Sequence, residues 1–326
     1  MTKKSGEATF FSHILVTAIF FILVLVLVYA VYLLYTNIPG EQQRLNVSLQ
    51  NKSTVTKPLS AAPVKQFYPN MKFNHKDISY TIESSCTEKQ KQRIQKAFVE
   101  LQAHVPHIYF IETSQKPDID VICSSITKEA ITEDYFIAGE GGAKEIVQSG
   151  EYNIINDGII YVYDKQKNSK ECDYPNIEMH ELLHVFGFDH TEDKNSIMYP
   201  FLESCDQVLD DSIIKELNEI YTMQDLADLS FEDIAVVKKG RYLDVNMTVK
   251  NIGTIPAEDT NIHFITDDEI VQVYPIEELS FGTGITISIT NLRIKLSSDT
   301  IELVLDKENK IKEIDKKNNK AIITLN

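Results

Sequence analysis

Three histidines and one glutamate within one eleven-residue stretch have the types and spacing needed to bind a metal ion and use it. His180 and His184 are about one helical turn apart, so on an α-helix their side chains lie on one face and reach a single ion. Glu181 lies beside that face, where a carboxylate can act on a water molecule rather than serve as a third ligand. Gly187 can adopt a positive φ and end the helix, which brings His190 round as the third ligand.

Three imidazole ligands are typical of a catalytic zinc site, because they leave the fourth tetrahedral position open for water. We therefore predict one Zn²⁺ ion held by the three histidines, with Glu181 as the general base that takes a proton from a water molecule. The alternative is a helix that carries surface histidines by chance. This alternative is disfavoured because one short stretch contains three ligands, a base and a helix-ending glycine.

The same stretch spells His-Glu-x-x-His-x-x-Gly-x-x-His and resembles the zinc motif of the metzincin metalloproteases. Met198 follows within the sequence Ser-Ile-Met-Tyr-Pro, which is similar to the Met-turn that places a methionine beneath the zinc ligands in this family. The Met-Tyr-Pro order resembles the matrixin branch. The resemblance covers about residues 73–225 and implies a zinc endopeptidase. We expect Tyr199, Pro200 and Phe201 to wall its substrate pocket.

The elements that position these residues are predicted from periodicity, from capping and from the resemblance. Apolar residues at helical spacing predict a helix from Thr87 to about His104, and Asn176 can cap the helix of the zinc ligands. The matrixin resemblance implies an α+β fold: a twisted, mostly parallel sheet of about five strands with three helices. It also implies an antiparallel edge strand near Phe136–Ile146, for which an ordinary loop is the alternative. Alternating or apolar runs predict strands at 77–83, 107–112, 119–123 and 158–163.

The four cysteines all lie in the region that resembles matrixins. An even number of cysteines in an oxidising compartment favours two disulfides, and four cysteines allow three pairings. We prefer Cys172–Cys205, because this bond would close a loop around the zinc ligands, with Cys86–Cys123 as the second bond. Free buried thiols are the alternative. Residues 36–72 contain no cysteine, so we expect no upstream cysteine that blocks the zinc.

An uncharged apolar run near the N-terminus predicts a membrane anchor. Residues 14–35 would reach about 33 Å as a helix, enough to cross a hydrocarbon core of about 30 Å. Lys3 and Lys4 precede the run, so residues 1–13 are predicted to be a cytoplasmic tail and everything after the helix extracytoplasmic. A cleaved signal peptide is the alternative, but its apolar run would be shorter. The polar, proline-containing residues 36–72 predict a stalk.

The pattern changes from about Phe231 to short alternating strands separated by turn residues, which predicts an antiparallel sandwich. Asn251-Ile252-Gly253, and the run that begins at Glu313, resemble immunoglobulin-like CARDB adhesion modules. We therefore predict a zinc peptidase domain at 73–228 and a CARDB-like domain at 229–326. Such a module could bind substrate, attach to a cell-surface or envelope ligand, or only space the enzyme. Its predicted strands lie at 242–249, 261–265, 285–289, 301–305 and 321–325.

The formal net charge of −16 argues against nucleic acid as a partner. The sequence predicts a membrane-anchored, extracytoplasmic zinc endopeptidase that acts on protein or peptide substrates. A surface adhesion protein with a vestigial zinc site is one alternative, which the presence of Glu181 disfavours, and a zinc hydrolase of small amides is another. No histidine lies between His107 and His180, so we predict no second structural zinc, and calcium stays possible but unsupported.

Overall fold

The computed structural model describes residues 5–37, 42–49, 64–125, 137–164, 172–295 and 297–325. Within these residues the chain forms four helices: α1 (Ser5–Asn37), α2 (Glu88–His104), α3 (Asn176–Val185) and α4 (Asp211–Thr222). The strands before α3 are β1 (Gln42–Arg44), β2 (Val47–Leu49), β3 (Met71–Lys72), β4 (Asp77–Ile82), β5 (Tyr109–Glu112), β6 (Ile119–Ser124), β7 (Gly139–Ser149) and β8 (Tyr152–Tyr163). The strands after α4 are β9 (Leu229–Lys239), β10 (Tyr242–Asn251), β11 (Ala257–Thr266), β12 (Glu269–Leu279), β13 (Gly284–Arg293), β14 (Thr300–Leu305) and β15 (Lys320–Thr324).

The first sheet has the strand order β3-β8-β6-β4-β5, and β7 pairs antiparallel with β8. The other pairs are parallel. This mixed sheet, with α2, α3 and α4, confirms the predicted α+β fold. Strand β7 is the antiparallel edge strand predicted near Phe136–Ile146, although Phe136 itself lies outside the described residues.

The predicted start of α2 is confirmed, whereas the predicted cap of α3 is wrong. Thr87 forms a capping box with Gln90 at the start of α2. In α3 the N-cap is Pro175, and Asn176 is the first helical residue. Asn176 is buried, and its side-chain amide donates to the carbonyl of Gln207 at 3.1 Å instead of capping its own helix. The amide is thus used to join α3 to a distant loop.

The back of α3 is buried in the core of the first domain. Leu182, Leu183 and Phe186 are fully buried. The ring of Phe186 meets those of Phe73 and Tyr221 edge-to-face, with centroids 5.8 and 6.2 Å apart. Packing on this face holds the helix rigidly, so its opposite face can present side chains in a defined geometry.

The C-terminal region is a sandwich of two antiparallel sheets, which confirms the predicted all-β architecture. The sheets have the orders β1-β9-β10-β13 and β12-β11-β14-β15-β2. Asn251, from the predicted Asn-Ile-Gly motif, is fully buried and joins several loops. Its amide donates to the carbonyls of Ile255 and Leu279, and its side-chain oxygen accepts from the N–H groups of Asp228 and Gly253.

Part of the predicted stalk at 36–72 belongs to this sandwich instead. β1 adds antiparallel to β9 in one sheet, and β2 adds antiparallel to β15 in the other. Leu45 and Val47 pack against the sandwich core. Composition alone predicted a linker because these strands are only three residues long, and an edge strand gains its hydrogen bonds from a partner far away in sequence.

Within α1, the stretch Leu15–Tyr35 has a mean hydropathy of 2.8 and no buried side chain. It is long and apolar enough to cross a membrane, and it lies within the predicted run at 14–35.

Candidate metal centre and active site

Three histidine side chains converge on one point at the end of α3 and in the segment after it. The Nε2 atoms of His180 and His184 are 3.0 Å apart, and each lies 3.1 Å from Nε2 of His190. A triangle of this size has a point about 2.0–2.1 Å from all three corners, which is the usual Zn–N bond length. Gly187, with φ of +85°, reverses the chain after the helix and brings the third histidine back.

Backbone carbonyls orient two of these rings. Nδ1 of His180 lies 2.6 Å from the carbonyl oxygen of Ile197, and Nδ1 of His184 lies 2.7 Å from that of Phe188. A carbonyl only accepts hydrogen bonds, so each Nδ1 carries the proton and each Nε2 presents a lone pair. Two lone pairs 3.0 Å apart repel each other unless a cation lies between them. The three residues therefore fit a metal ion, and two of them, His180 and His184, each donate a hydrogen bond from the second ring nitrogen, as metal-binding histidines usually do.

The three imidazoles favour their neutral form. Burial lowers the pKa of each of them, and the pKa of His180 falls to about 3 because repulsion from His184 adds to the effect of burial. Metal ligation requires the neutral imidazole. At neutral pH the site can therefore bind a cation without first releasing protons from the histidines.

Glu181 is buried beside the triad, next to β7. Burial raises the pKa of Glu181 to about 8, and the negative charge of Glu140 adds to this, while a hydrogen bond from the Gly141 N–H opposes it. A cation held by the histidines would lower this pKa again, because an opposite charge stabilises the ionised form. A bound cation would therefore favour the ionised carboxylate at neutral pH.

Glycines in β7 allow this strand to approach α3 closely. A Cβ atom on Gly139 would lie 2.6 Å from Cγ of Glu181, and a Cβ atom on Gly141 would overlap the backbone carbonyl of the same residue. A Cβ atom on Gly142 would meet no atom within 4 Å. The first two glycines are therefore needed for the contact between the edge strand and the carboxylate, and the third is not.

Met198 is fully buried in a turn that is held by hydrogen bonds to neighbouring segments. Its N–H donates to Oγ of Ser196 at 3.0 Å, and that hydroxyl donates to Oδ2 of Asp210 at 2.6 Å. Ile197, the residue between them, supplies the carbonyl that orients His180. The turn therefore joins the first ligand to the residue just before α4.

The three residues predicted to wall the pocket follow this turn directly. Tyr199 is half-buried and its ring meets that of Phe201 edge-to-face, with centroids 5.8 Å apart. Phe201 is 41% exposed and Pro200 is exposed. An exposed aromatic surface is thus available a few residues from the metal ligands in sequence.

Both predicted disulfides are confirmed. Cys172 is bonded to Cys205, and Cys86 to Cys123. The first bond encloses α3, the third ligand and Met198, so it covalently closes the part of the chain that carries the site.

One contact of the site was missed by the sequence analysis. Phe67, assigned to the stalk, stacks against the ring of His184, with centroids 6.2 Å apart and an interplanar angle of 23°. Its backbone N–H donates to the carbonyl of Gly187 at 2.7 Å. The available signal was the aromatic pair Phe67-Tyr68 in an otherwise polar stretch, which predicts a packed segment better than a linker.

Comparison with known families agrees with this geometry. The Matrixin family model matches residues 72–222, and the CARDB family model matches residues 226–322. A matrixin-like region that can hold a metal ion is therefore followed by a CARDB region. None of the curated proteins compared with the chain matches it.

Two of the similar solved structures are CARDB domains. A crystal structure of such a domain from Pyrococcus furiosus, in complex with di-metal ions, is 16% identical and covers 31% of this chain and 88% of that one, with a TM-score of 0.25. An NMR structure of a CARDB domain from the same organism is 16% identical and covers 31% and 95%, with the same TM-score of 0.25. A domain from Methanosarcina acetivorans, named as a cell surface protein, is 14% identical and covers 30% and 90%, with a TM-score of 0.25.

Proposed function

We propose that this protein is a membrane-anchored zinc endopeptidase that hydrolyses peptide bonds outside the cytoplasm. The observation that carries the proposal is the convergence of three neutral imidazoles on one point beside a buried carboxylate. His180, His184 and His190 would hold one Zn²⁺ ion, and Glu181 would be the catalytic residue. The match of residues 72–222 to the Matrixin family supports a metalloprotease.

The chemistry would be divided between the metal and the side chains around it. A bound zinc ion would polarise the scissile carbonyl and lower the pKa of a water molecule. Glu181 would take the proton of that water and deliver it to the leaving amine. The Gly141 N–H would hold the carboxylate in position for both transfers. Among the described strands β7 pairs only with β8, so its other edge could bind an extended peptide as an added strand.

The substrate pocket would lie beyond the turn that contains Met198. In this proposal Met198 forms a hydrophobic floor beneath the ligands, and Tyr199, Pro200 and Phe201 form a wall. The exposed ring of Phe201 would favour an apolar side chain in the substrate.

The location of the enzyme is proposed from the N-terminal helix. Residues 14–35 would be an uncleaved signal-anchor, with the N-terminus in the cytoplasm because Lys3 and Lys4 precede the helix. The domains at 73–228 and 229–326 would then be extracytoplasmic. The second domain would bind a ligand of the cell surface or envelope, and no part of the chain is proposed to bind nucleic acid.

The substitution Glu181→Gln tests the catalytic role. We expect it to lower the rate of peptide hydrolysis by about 10²–10⁴-fold, because the amide cannot accept the proton. Zinc content should stay at the wild-type level, because the three ligands are unchanged. The purified protein is assayed for cleavage of a peptide library and for bound zinc.

Glu192→Gln is the matched control, since Glu192 is exposed and the chemical change is the same. This variant should hydrolyse peptides at the wild-type rate. A Glu181→Gln protein that is as active as the wild type would refute the assigned base. A wild-type protein that binds zinc and cleaves no peptide would instead support an adhesion protein with a vestigial site.

A further inference from the structure

The chain that leaves α1 is built into the C-terminal sandwich. Gln42 pairs with Lys239 in β9, and Val47 pairs with Ile323 in β15. The segment 42–49 therefore crosses from one sheet of the sandwich to the other before the chain enters the matrixin-like region.

Chain length limits how far the sandwich can lie from the end of α1. Four residues, 38–41, separate Asn37 from Gln42. Five Cα–Cα steps of 3.8 Å span at most about 19 Å. Gln42 is thus within about 19 Å of the end of the apolar helix, and its partner Lys239 lies at the β9–β10 turn. The matrixin-like region begins only after residues 50–63.

The matrixin-like domain contacts the opposite end of the sandwich. We call the end with the β9–β10 turn the anchor end, and the end with the loop Asn251–Gly253 the junction end. At the junction end, Oγ of the buried Ser149 donates to the carbonyl of Gly253 at 2.5 Å. β10 runs from the anchor end to the junction end in ten residues, which is about 33 Å of extended chain.

We propose that the C-terminal domain stands between the membrane and the matrixin-like domain, although it comes last in the sequence. It would act as a spacer about 30 Å long, the length of β10, between the end of α1 and the matrixin-like domain. The substrates within reach are then peptide segments that extend well away from the membrane, rather than segments next to their own membrane anchors. This inference rests on the proposed anchoring through α1.

Energy transfer from the protein to the lipid surface tests this order of domains. The full-length protein is reconstituted in lipid nanodiscs with an acceptor dye on the headgroups, and a donor dye is attached at Asp268 or at Glu192 through an unnatural amino acid. Asp268 lies in the β11–β12 turn at the anchor end, because β11 starts beside the junction loop. We expect transfer to be at least about twofold more efficient from Asp268 than from Glu192, given the length of the sandwich.

Leu45→Pro provides the matched perturbation, since it removes the N–H that donates to the carbonyl of Val236 at 3.0 Å. It should reduce the difference between the two donor positions, whereas Ser48→Ala, at an exposed side chain of the same segment, should leave it unchanged. Equal transfer from both positions, or stronger transfer from Glu192, would overturn the proposed order. A protein that does not stay in the nanodisc would refute the anchoring itself.

A second, independent observation concerns the segment that enters the matrixin-like domain. The buried side chain of Val64 fixes its start. The N–H of Asp189 donates to the carbonyl of Lys65 at 2.8 Å, and the side chain of Gln66 donates to the carbonyl of Phe186 at 2.9 Å. The segment is therefore held along the turn that delivers the third histidine.

These contacts place Phe67 at the edge of the metal centre. Its ring lies 6.2 Å from that of His184, yet 54% of the residue is exposed. A substrate chain advances about 3.3 Å per residue, so this ring is within reach of a side chain two or three residues from the scissile bond. We propose that Phe67 is a specificity-determining residue that favours an apolar side chain there. This inference rests on the proposed peptidase function.

Phe67→Ala and Tyr68→Ala form a matched pair, because the two residues are adjacent, aromatic and equally exposed at 54%. Only Phe67→Ala should lower kcat/KM for peptides with an apolar residue at the contacted position, by about 5–10-fold, while peptides that are polar there are unaffected. Phe67→Leu should retain most of the preference. The readouts are library profiling and zinc content.

Identical cleavage profiles for the wild type and Phe67→Ala would overturn this proposal and leave the peptidase function standing. Loss of zinc from Phe67→Ala would also overturn it, by showing that the ring only supports the ligands. A wild-type protein that cleaves no peptide would refute the function and the proposal together.

Discussion

Two backbone carbonyls decide which nitrogen each of the first two histidines presents to a cation. The sequence predicts the histidines from their spacing, but the carbonyls of Ile197 and Phe188 lie outside the helix that carries them. Only the folded chain brings the carbonyl of Ile197 to the ring of His180, whereas Phe188 is four residues from His184. The proton on each Nδ1 follows from the presence of its acceptor. The tautomer of His180 is thus decided by tertiary structure, at a residue that the sequence already identified.

Asp228 makes the stability of the fold depend on pH, which the sequence did not indicate. It is 6% exposed, and burial together with the nearby charges of Glu313 and Asp315 raises its pKa to about 6, although Asn318 donates a hydrogen bond to it. In the unfolded chain its pKa returns to the usual value near 4. The contribution of Asp228 to the free energy of unfolding is therefore fully present below about pH 4, and it is lost as the pH rises through about 6.

Asp228→Asn should flatten this dependence. Relative to the wild type, the variant's free energy of unfolding should improve by about 1–3 kcal/mol between pH 4 and pH 7.5, because the amide has no charge to bury. Denaturant titrations of both proteins at several pH values measure the difference. Asp233→Asn, on an exposed carboxylate, is the control and should show no such trend. A constant offset between Asp228→Asn and the wild type at all pH values would contradict the assignment.

At the scale of elements, the contact between β7 and α3 depends on the absence of side chains. Gly139, Gly141 and Gly142 all lie inside a strand of eleven residues. Glycine weakens a strand unless another group approaches its backbone closely. That group is Glu181, through both its side chain and its backbone carbonyl.

Gly141→Ala should therefore destabilise the protein by about 1–3 kcal/mol, because its Cβ would overlap the backbone of α3 and force the strand away. Peptide hydrolysis should fall by more than the loss of folded protein explains, since the N–H that holds the carboxylate moves with the strand. Thermal unfolding and hydrolysis rates, corrected for zinc content, report the two effects. Gly142→Ala should be neutral, because its Cβ would meet no atom within 4 Å, and equal damage from both variants would show that the argument is wrong.

At the scale of the whole molecule, contacts between residues far apart in the chain determine the arrangement of the domains. Val47 pairs with Ile323, and Ser149 is bonded to Gly253. The first contact ties the start of the chain to its last strand, and the second joins the edge-strand hairpin to the sandwich. The order of domains along the sequence is therefore not the order in which they follow the N-terminal helix. The net charge of −16 favours a dispersed protein and has no part in this arrangement.

The sequence by itself determined the features that depend on local spacing. The spacing of the three histidines and Glu181, the start of α2 at Thr87 and the apolar helix all follow from neighbours within a few residues, where helical geometry and hydrophobicity leave little choice. Cys172–Cys205 was preferred for the loop that it would close, and Cys86–Cys123 was the pair that remained. Only the tertiary structure decided that β1 and β2 join the sandwich, that Phe67 lies against His184 and that Asn176 bonds to a distant loop. In those cases a short polar or mixed segment is stabilised by contacts with residues far away in the chain. The composition of the segment itself does not identify those residues.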